Sequence, residues 1–225
     1  MTKPPALTPT ASPTKIDLFL DRLAARNAPS GRLIFALDAT ASREEMWSRA
    51  IELQSGMFNE VAQIGGVEIQ LVYYRGTECR SSQWMTNTQA LEQSMRKIQC
   101  VGGYTQIKKV LEHTRRTHDQ TPVSTLVFVG DAMEEELDHL CAAANELGSR
   151  GFRALMFLEG KDAEAEAAFR AIAAATHGAF ARFSTASAKE LGDLLRAAAA
   201  YAAGGLKALE SGKSKEAVKL LEQLK

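Results

Sequence analysis

The chain has 225 residues, 45% apolar and 24% charged, which suits one substantial core in a globular protein. Lysine plus arginine equals aspartate plus glutamate at 27 each, so no long-range positive field is available to draw in nucleic acid or an anionic membrane surface. The most apolar runs, "STLVFVG" and "RALMFLEG", are far below the roughly 20 residues that span a bilayer, and Cys79, Cys100 and Cys141 are too widely spaced for a disulfide framework or a zinc knuckle.

Residues 1–13 carry prolines where a secretory signal would carry an apolar stretch, and read as a disordered leader of a cytoplasmic protein. In 14–30, Ile16, Phe19, Leu20 and Leu23 recur at helical spacing after Thr14, which predicts a short amphipathic helix and a linker. From residue 32 strands and helices alternate. "RLIFALD" is a buried strand, "REEMWSRAIELQSGMFNEVAQI" one long helix stopped by Gly65-Gly66, "VEIQLVYYR" a second strand and "ECRSSQWMT" a weaker, edge-like third. A helix "NTQALEQSMRKIQ", a loop "VGGYT" and a helix "QIKKVLEHTRRTH" follow, then the buried strand "STLVFVGD". "EEELDHLCAAANELGSRG" is the next helix, with Cys141 beside Leu137 and Leu140 as a small core residue and Gly151 as the stop. The strand "FRALMFLE", the helix "AEAEAAFRAIAAATHG", the strand "AFARFS" and the helix "AKELGDLLRAAAAYAAG" complete the domain.

This alternation predicts an α/β fold over 31–204, doubly wound, with a mostly parallel central sheet, helices on both faces and one antiparallel edge strand. In the tail, 205–225, Ala217, Leu220, Leu221 and Leu224 form one stripe, an amphipathic helix that either packs on the domain or binds a partner.

Open α/β sheets bind ligands beyond the carboxyl ends of their strands, where the winding reverses. Three such ends carry oxygen donors: Asp38, Thr40 and Ser42 after the first strand, Thr105 in the glycine-containing loop, and Asp131 after "STLVFVG". Two carboxylates and three hydroxyls are hard ligands, suited to Mg²⁺ or Mn²⁺ rather than zinc. Each also has a plainer reading as a helix cap: Ser42 with Glu45, Asp131 with Glu134, and Thr105 for its own helix. Capping leaves unexplained the two-residue spacing of Asp38, Thr40 and Ser42. It also leaves Gly102 and Gly103, which would allow a tight turn and close approach to a neighbouring loop.

The joint pattern "DATAS", "GGYT" and "VGD" resembles the metal-ion-dependent adhesion site of von Willebrand factor A domains, D-x-S-x-S followed by a later Thr and a later Asp. The resemblance covers roughly residues 31–204 and departs from the family at Thr40, where Ser is usual. It implies a cytoplasmic bacterial interaction module, not an enzyme. Asp38, Thr40, Ser42, Thr105 and Asp131 would hold Mg²⁺, or Mn²⁺, completed by a partner's Glu or Asp. Bacterial relatives work beside AAA+ ATPases, chaperones or stress-response systems. Arg43, Gly103 and Tyr104 fall at the partner-binding rim, and Glu134–Glu136 read as solvated charges at a helix start. The alternatives are a metal-dependent hydrolase and a scaffold of the same fold without metal. The sequence has Thr40 where a D-x-D-x-T phosphotransferase has its second Asp, and it lacks phosphate-loop and dinucleotide fingerprints. His113, His118, His139 and His177 lie on or at the ends of predicted helices, as surface or capping residues.

Overall fold

The computed structural model describes residues 31–61, 66–184 and 186–225. The expected leader and N-terminal helix, and the Gly65 half of the expected helix stop, lie outside them.

Strand β1 (Gly31–Asp38) alternates its side chains between two cores, as the period of two in a pleated strand requires. Leu33, Phe35 and Leu37 enter one core, and Ile34 and Ala36 enter the other. Both faces are covered, which is why the strand reads as a nearly continuous apolar run. Five further strands complete the sheet: β2 (Val67–Arg75), β3 (Glu78–Met85), β4 (Thr125–Gly130), β5 (Arg153–Glu159) and β6 (Ala179–Phe183). Their order is β3-β2-β1-β4-β5-β6, with every neighbouring pair parallel except β2 and β3. The expected antiparallel edge strand is therefore β3.

Helices α1 (Glu44–Leu53), α2 (Ser55–Val61), α3 (Thr88–Arg96), α7 (Ala188–Glu210) and α8 (Lys215–Leu224) supply residues to the core that holds Leu33, Phe35 and Leu37. Helices α4 (Ile107–Gln120), α5 (Leu137–Gly148) and α6 (Ala163–Ala175) supply the other. The alanine-rich stretch of α7 is buried from Ala197 to Ala200, so its small side chains serve close helix–sheet packing.

Three expectations about elements are corrected. The long helix after β1 is two helices. At buried Gln54 the ladder tightens, Met57 N donating to Gln54 O at 3.1 Å, and the Ser55-Gly56 pair that follows has weak helix propensity. Helix α5 starts at Leu137 rather than at the glutamates, because two of those carboxylates are engaged elsewhere. Leu137 is exposed and Cys141 only half-buried, so Leu140, Ala144 and Leu147 form the inward stripe of α5.

The tail packs on the domain. Ala217, Leu220 and Leu224 are buried, Gln223 Oε1 accepts from Phe180 N, and Gln223 Nε2 donates to Phe180 O, both at 2.9 Å. Helix α8 thus covers the outer strand β6 on one side and satisfies one residue of its free edge. Among the described residues no helix is long and apolar enough to cross a membrane.

Candidate functional site

The winding reverses between β1 and β4, where Leu37 is in register with Val129. Asp38 and Asp131 therefore emerge side by side at the carboxyl end of the sheet. The loop preceding α4 is tied to the same place. Val101 N donates to Ala39 O at 3.0 Å, and Gln106 Nε2 donates to Gly76 O at 3.0 Å. Together these bonds bring Asp38, Thr40, Ser42, Gly102, Gly103, Thr105 and Asp131 around one cleft of about 250 Å³, which Glu134 also lines. All five oxygen-bearing residues singled out in the sequence share that cleft.

Helix capping does not account for them. The caps of the 3-10 turn Ala41–Arg43 and of α1 are Thr40 and Arg43, neither with a side-chain cap bond. The cap of α4 is Gln106, again without one, so Thr105 does not cap its own helix. Thr40 and Ser42 place their hydroxyl oxygens 3.3 Å apart, and Thr40 N donates to Asp38 Oδ1 at 2.7 Å.

Asp38 is 2% exposed and makes no ion pair among the described residues. Burial pushes its pKa above the usual carboxylate range. Thr40 and the charge on Arg43 oppose that rise, and the Asp131 carboxylate adds to it. The fully buried Tyr74 hydroxyl lies near Asp38 without hydrogen-bond geometry, and desolvation together with the Asp38 charge raises its pKa well above the ordinary value. A buried carboxylate without an ion pair is costly, and Asp38 shares its cleft with a second carboxylate and three hydroxyls. The donor set therefore fits a small hard cation. Among the described residues no group of three or more His, Cys, Asp or Glu is placed to hold a metal, as expected of a set in which three of five donors are hydroxyls.

Arg43 corrects the expected rim. It is 3% exposed, with Nη1 3.2 Å from Asp131 Oδ2 and also paired with Glu159 Oε2 at the end of β5. Arg49 reaches the other Glu159 oxygen at 3.9 Å. A side chain that could have pointed to solvent instead faces two carboxylates, because two neighbouring strand ends each supply one. Gly103 is exposed and Tyr104 is 74% exposed, so the outer edge of the cleft comes from the α4 loop.

The glutamates are corrected as well. Glu134 Oε2 accepts from Thr105 N and Glu134 N donates to Thr105 Oγ1, both at 2.9 Å. Glu135 accepts from Ile107 N, and from Lys108 N at 3.2 Å. Glu135 thus caps α4, a helix distant in sequence, and satisfies two of its free amides where the helix dipole favours negative charge, while Glu134 holds the loop just before it. They lock the Thr105 loop to the Asp131 loop. Burial raises the Glu135 pKa, against the pull of the Lys108 and Ile107 amides. Local spacing gave no signal for this role, since the amides lie 27 to 29 residues away.

An α/β sheet of this order, with a polar cleft at its switch point, defines a class of doubly wound open-sheet domains. The fold within that class is that of von Willebrand factor A domains. The chain is similar to the VWA domain of SpRpn10, with 9% identity, a TM-score of 0.55 and coverage of 72% of this chain and 94% of that one. It is similar to the vWF domain of the type V pili tip protein Mfa5 from Porphyromonas gingivalis, with 12% identity, a TM-score of 0.57 and coverage of 76% and 94%. It is also similar to proximal thread matrix protein 1 from the mussel byssus, with 15% identity and a TM-score of 0.59, covering 84% of this chain but 51% of that protein. No protein-family model and no curated protein matches the sequence.

Proposed function

We propose that the protein is an interaction module that binds an acidic residue of a partner protein through Mg²⁺, or Mn²⁺, held by Asp38, Thr40, Ser42, Thr105 and Asp131. The observation that carries this reading is Asp38, a buried carboxylate without an ion pair among the described residues, in a cleft shared with Asp131 and three hydroxyls, none of which caps a helix. The ion would supply positive charge and a coordination position for the partner's carboxylate. The chain's own residues do the rest. Thr40 N orients Asp38, the Glu134–Thr105 bonds fix the second loop, and exposed Tyr104 and Val101 offer apolar surface next to the cleft. A single anchored carboxylate in such a setting can dominate affinity. Candidate partners are those suggested by the sequence resemblance: an AAA+ ATPase, a chaperone or a stress-response component.

The pairing of Arg43 with Asp131 supports a second reading, a scaffold of the same fold whose site holds no metal. Calorimetric titration of the full chain with Mg²⁺ and Mn²⁺ separates the two. Saturable binding that Asp38→Ala removes is expected. Binding that is absent, or unchanged in Asp38→Ala, would favour the scaffold. Partner capture with and without a chelator then tests the interaction, and phosphoester turnover abolished by chelation would replace the module with a hydrolase.

A further inference from the structure

We infer that Arg43 is a built-in cation that competes with the divalent ion for Asp131, and that Glu159 sets the balance by drawing Arg43 away. The inference rests on the metal-binding reading above.

Its basis is the way one nitrogen is shared. Arg43 reaches both Asp131 and Glu159 through Nη1, while Nε and Nη2 are buried without a hydrogen-bond partner among the described residues. A guanidinium normally fixes a carboxylate with two parallel bonds. Here neither carboxylate is held in that way, so a small movement of one side chain changes which of them it serves. The surroundings supply both destinations. Asp131 and Ser42 stand between two clefts, the oxygen-lined one and a second of about 370 Å³ lined by Arg43, Arg49 and Glu159. Asp131 can face either side. With Arg43 on Asp131, the site has one carboxylate fewer to offer an ion. With Arg43 held by Glu159, Asp131 is released.

The charges agree with this arrangement. Arg43 is buried and Asp131 is partly exposed, so their attraction is only partly screened. A divalent cation beside Asp131 would repel the guanidinium, and Glu159 offers it a second, more buried partner. Arg49, also paired with Glu45 at 2.9 Å, is not left alone when Glu159 is neutralised.

The test is titration of metal-free full-length protein with Mn²⁺ and with Mg²⁺. Four proteins are compared: wild type, Glu159→Gln, the double variant Arg43→Met/Glu159→Gln, and Asp38→Ala. The double variant removes one positive and one negative charge, so the distant field is unchanged and no buried glutamate is stranded. It is expected to bind Mn²⁺ on the order of tenfold more tightly than wild type. Glu159→Gln alone, which among the described residues leaves Arg43 only Asp131 as an ion-pair partner, is expected to bind several-fold more weakly. Thermal melts in chelator establish that each variant folds, and Glu159→Gln carries the test if the double variant does not. Wild-type affinity in the double variant, or in Glu159→Gln, overturns the role of Arg43 and leaves the metal site standing. If neither wild type nor the double variant binds saturably, or Asp38→Ala binds as wild type does, the metal site fails and this inference fails with it.

Discussion

Substituting Gly103 by alanine tests how the loop that carries Thr105 is seated. A Cβ built there would lie 2.4 Å from both Gly76 Cα and Gly76 N, and 2.7 Å from Gly76 O, all of them backbone atoms of the β2–β3 turn. Ordinary carbon contacts begin near 3.5 Å, so loop and turn must separate by about 1 Å. Overpacking of this kind costs about 1–3 kcal/mol, and at about 2–4 °C per kcal/mol for a chain of this size the melting temperature should fall by roughly 2–12 °C. The separation should also strain the bonds from Gln106 Nε2 to Gly76 O and Glu78 O. Thr105 would then move away from Asp131 and Mn²⁺ binding would weaken. Gly102 is the internal control, because a Cβ there meets nothing within 4 Å among the described residues. Gly102→Ala should stay within about 0.5 kcal/mol of wild type. Thermal melts and Mn²⁺ titrations of both variants check the reasoning. A Gly103→Ala protein that melts and binds like Gly102→Ala would refute it.

Three further outcomes are expected. Leu220→Ala empties a fully buried position of α8 and should cost about 2–5 kcal/mol, read as a lower urea midpoint; a midpoint within error of wild type would mean that the tail does not pack as described. Glu135→Gln weakens the cap on Ile107 and Lys108 and should cost about 0.5–2 kcal/mol, with faster amide exchange in the first turn of α4, whereas exposed Glu136→Gln should leave both unchanged. Burial pushes the Cys79 thiol from an ordinary 9.0 up to about 11. About one part in a thousand is then thiolate at pH 8, and alkylation should run about a hundredfold slower in native than in urea-unfolded protein. Because the folded state keeps this proton longer, the same shift makes stability fall as pH rises from 9.0 to about 11. Equal native and unfolded alkylation rates would contradict the burial of Cys79.

The central strands were legible because β1 and β4 are nearly unbroken apolar runs, and the switch-point carboxylates were legible because Asp38 and Asp131 end those two runs. Local patterns of this kind survive in one dimension. A loop leaving a strand end has few places to go, so the same patterns kept Thr40 and Ser42 beside Asp38, whereas Thr105 lies between α3 and α4 and is brought to the site by the Val101–Ala39 and Gln106–Gly76 bonds. The capping boxes were equally legible and did not form: Ser42 and Asp131 sit at the spacing a cap requires, but no side-chain cap bond is made at the starts of those helices.

Tertiary structure decided what depends on charges and backbones far apart in sequence. Glu134 and Glu135 look like the first turn of their own helix, yet Glu135 serves amides of α4 and Glu134 the Thr105 amide just before it, because the β4–α5 loop crosses that helix end. Of two adjacent glycines Gly103 is the one packing requires among the described residues, since a Cβ there would meet the Gly76 backbone while a Cβ at Gly102 would not. Arg43 reads as a surface residue beside a site and is instead buried within it, because β4 and β5 end in carboxylates on the side toward which it points. Sequence determined which oxygen donors stand at the switch point, a matter of hydrophobic period and strand ends. Only the folded chain decided which of them already has a cation, because that depends on where the neighbouring strand ends place their charges.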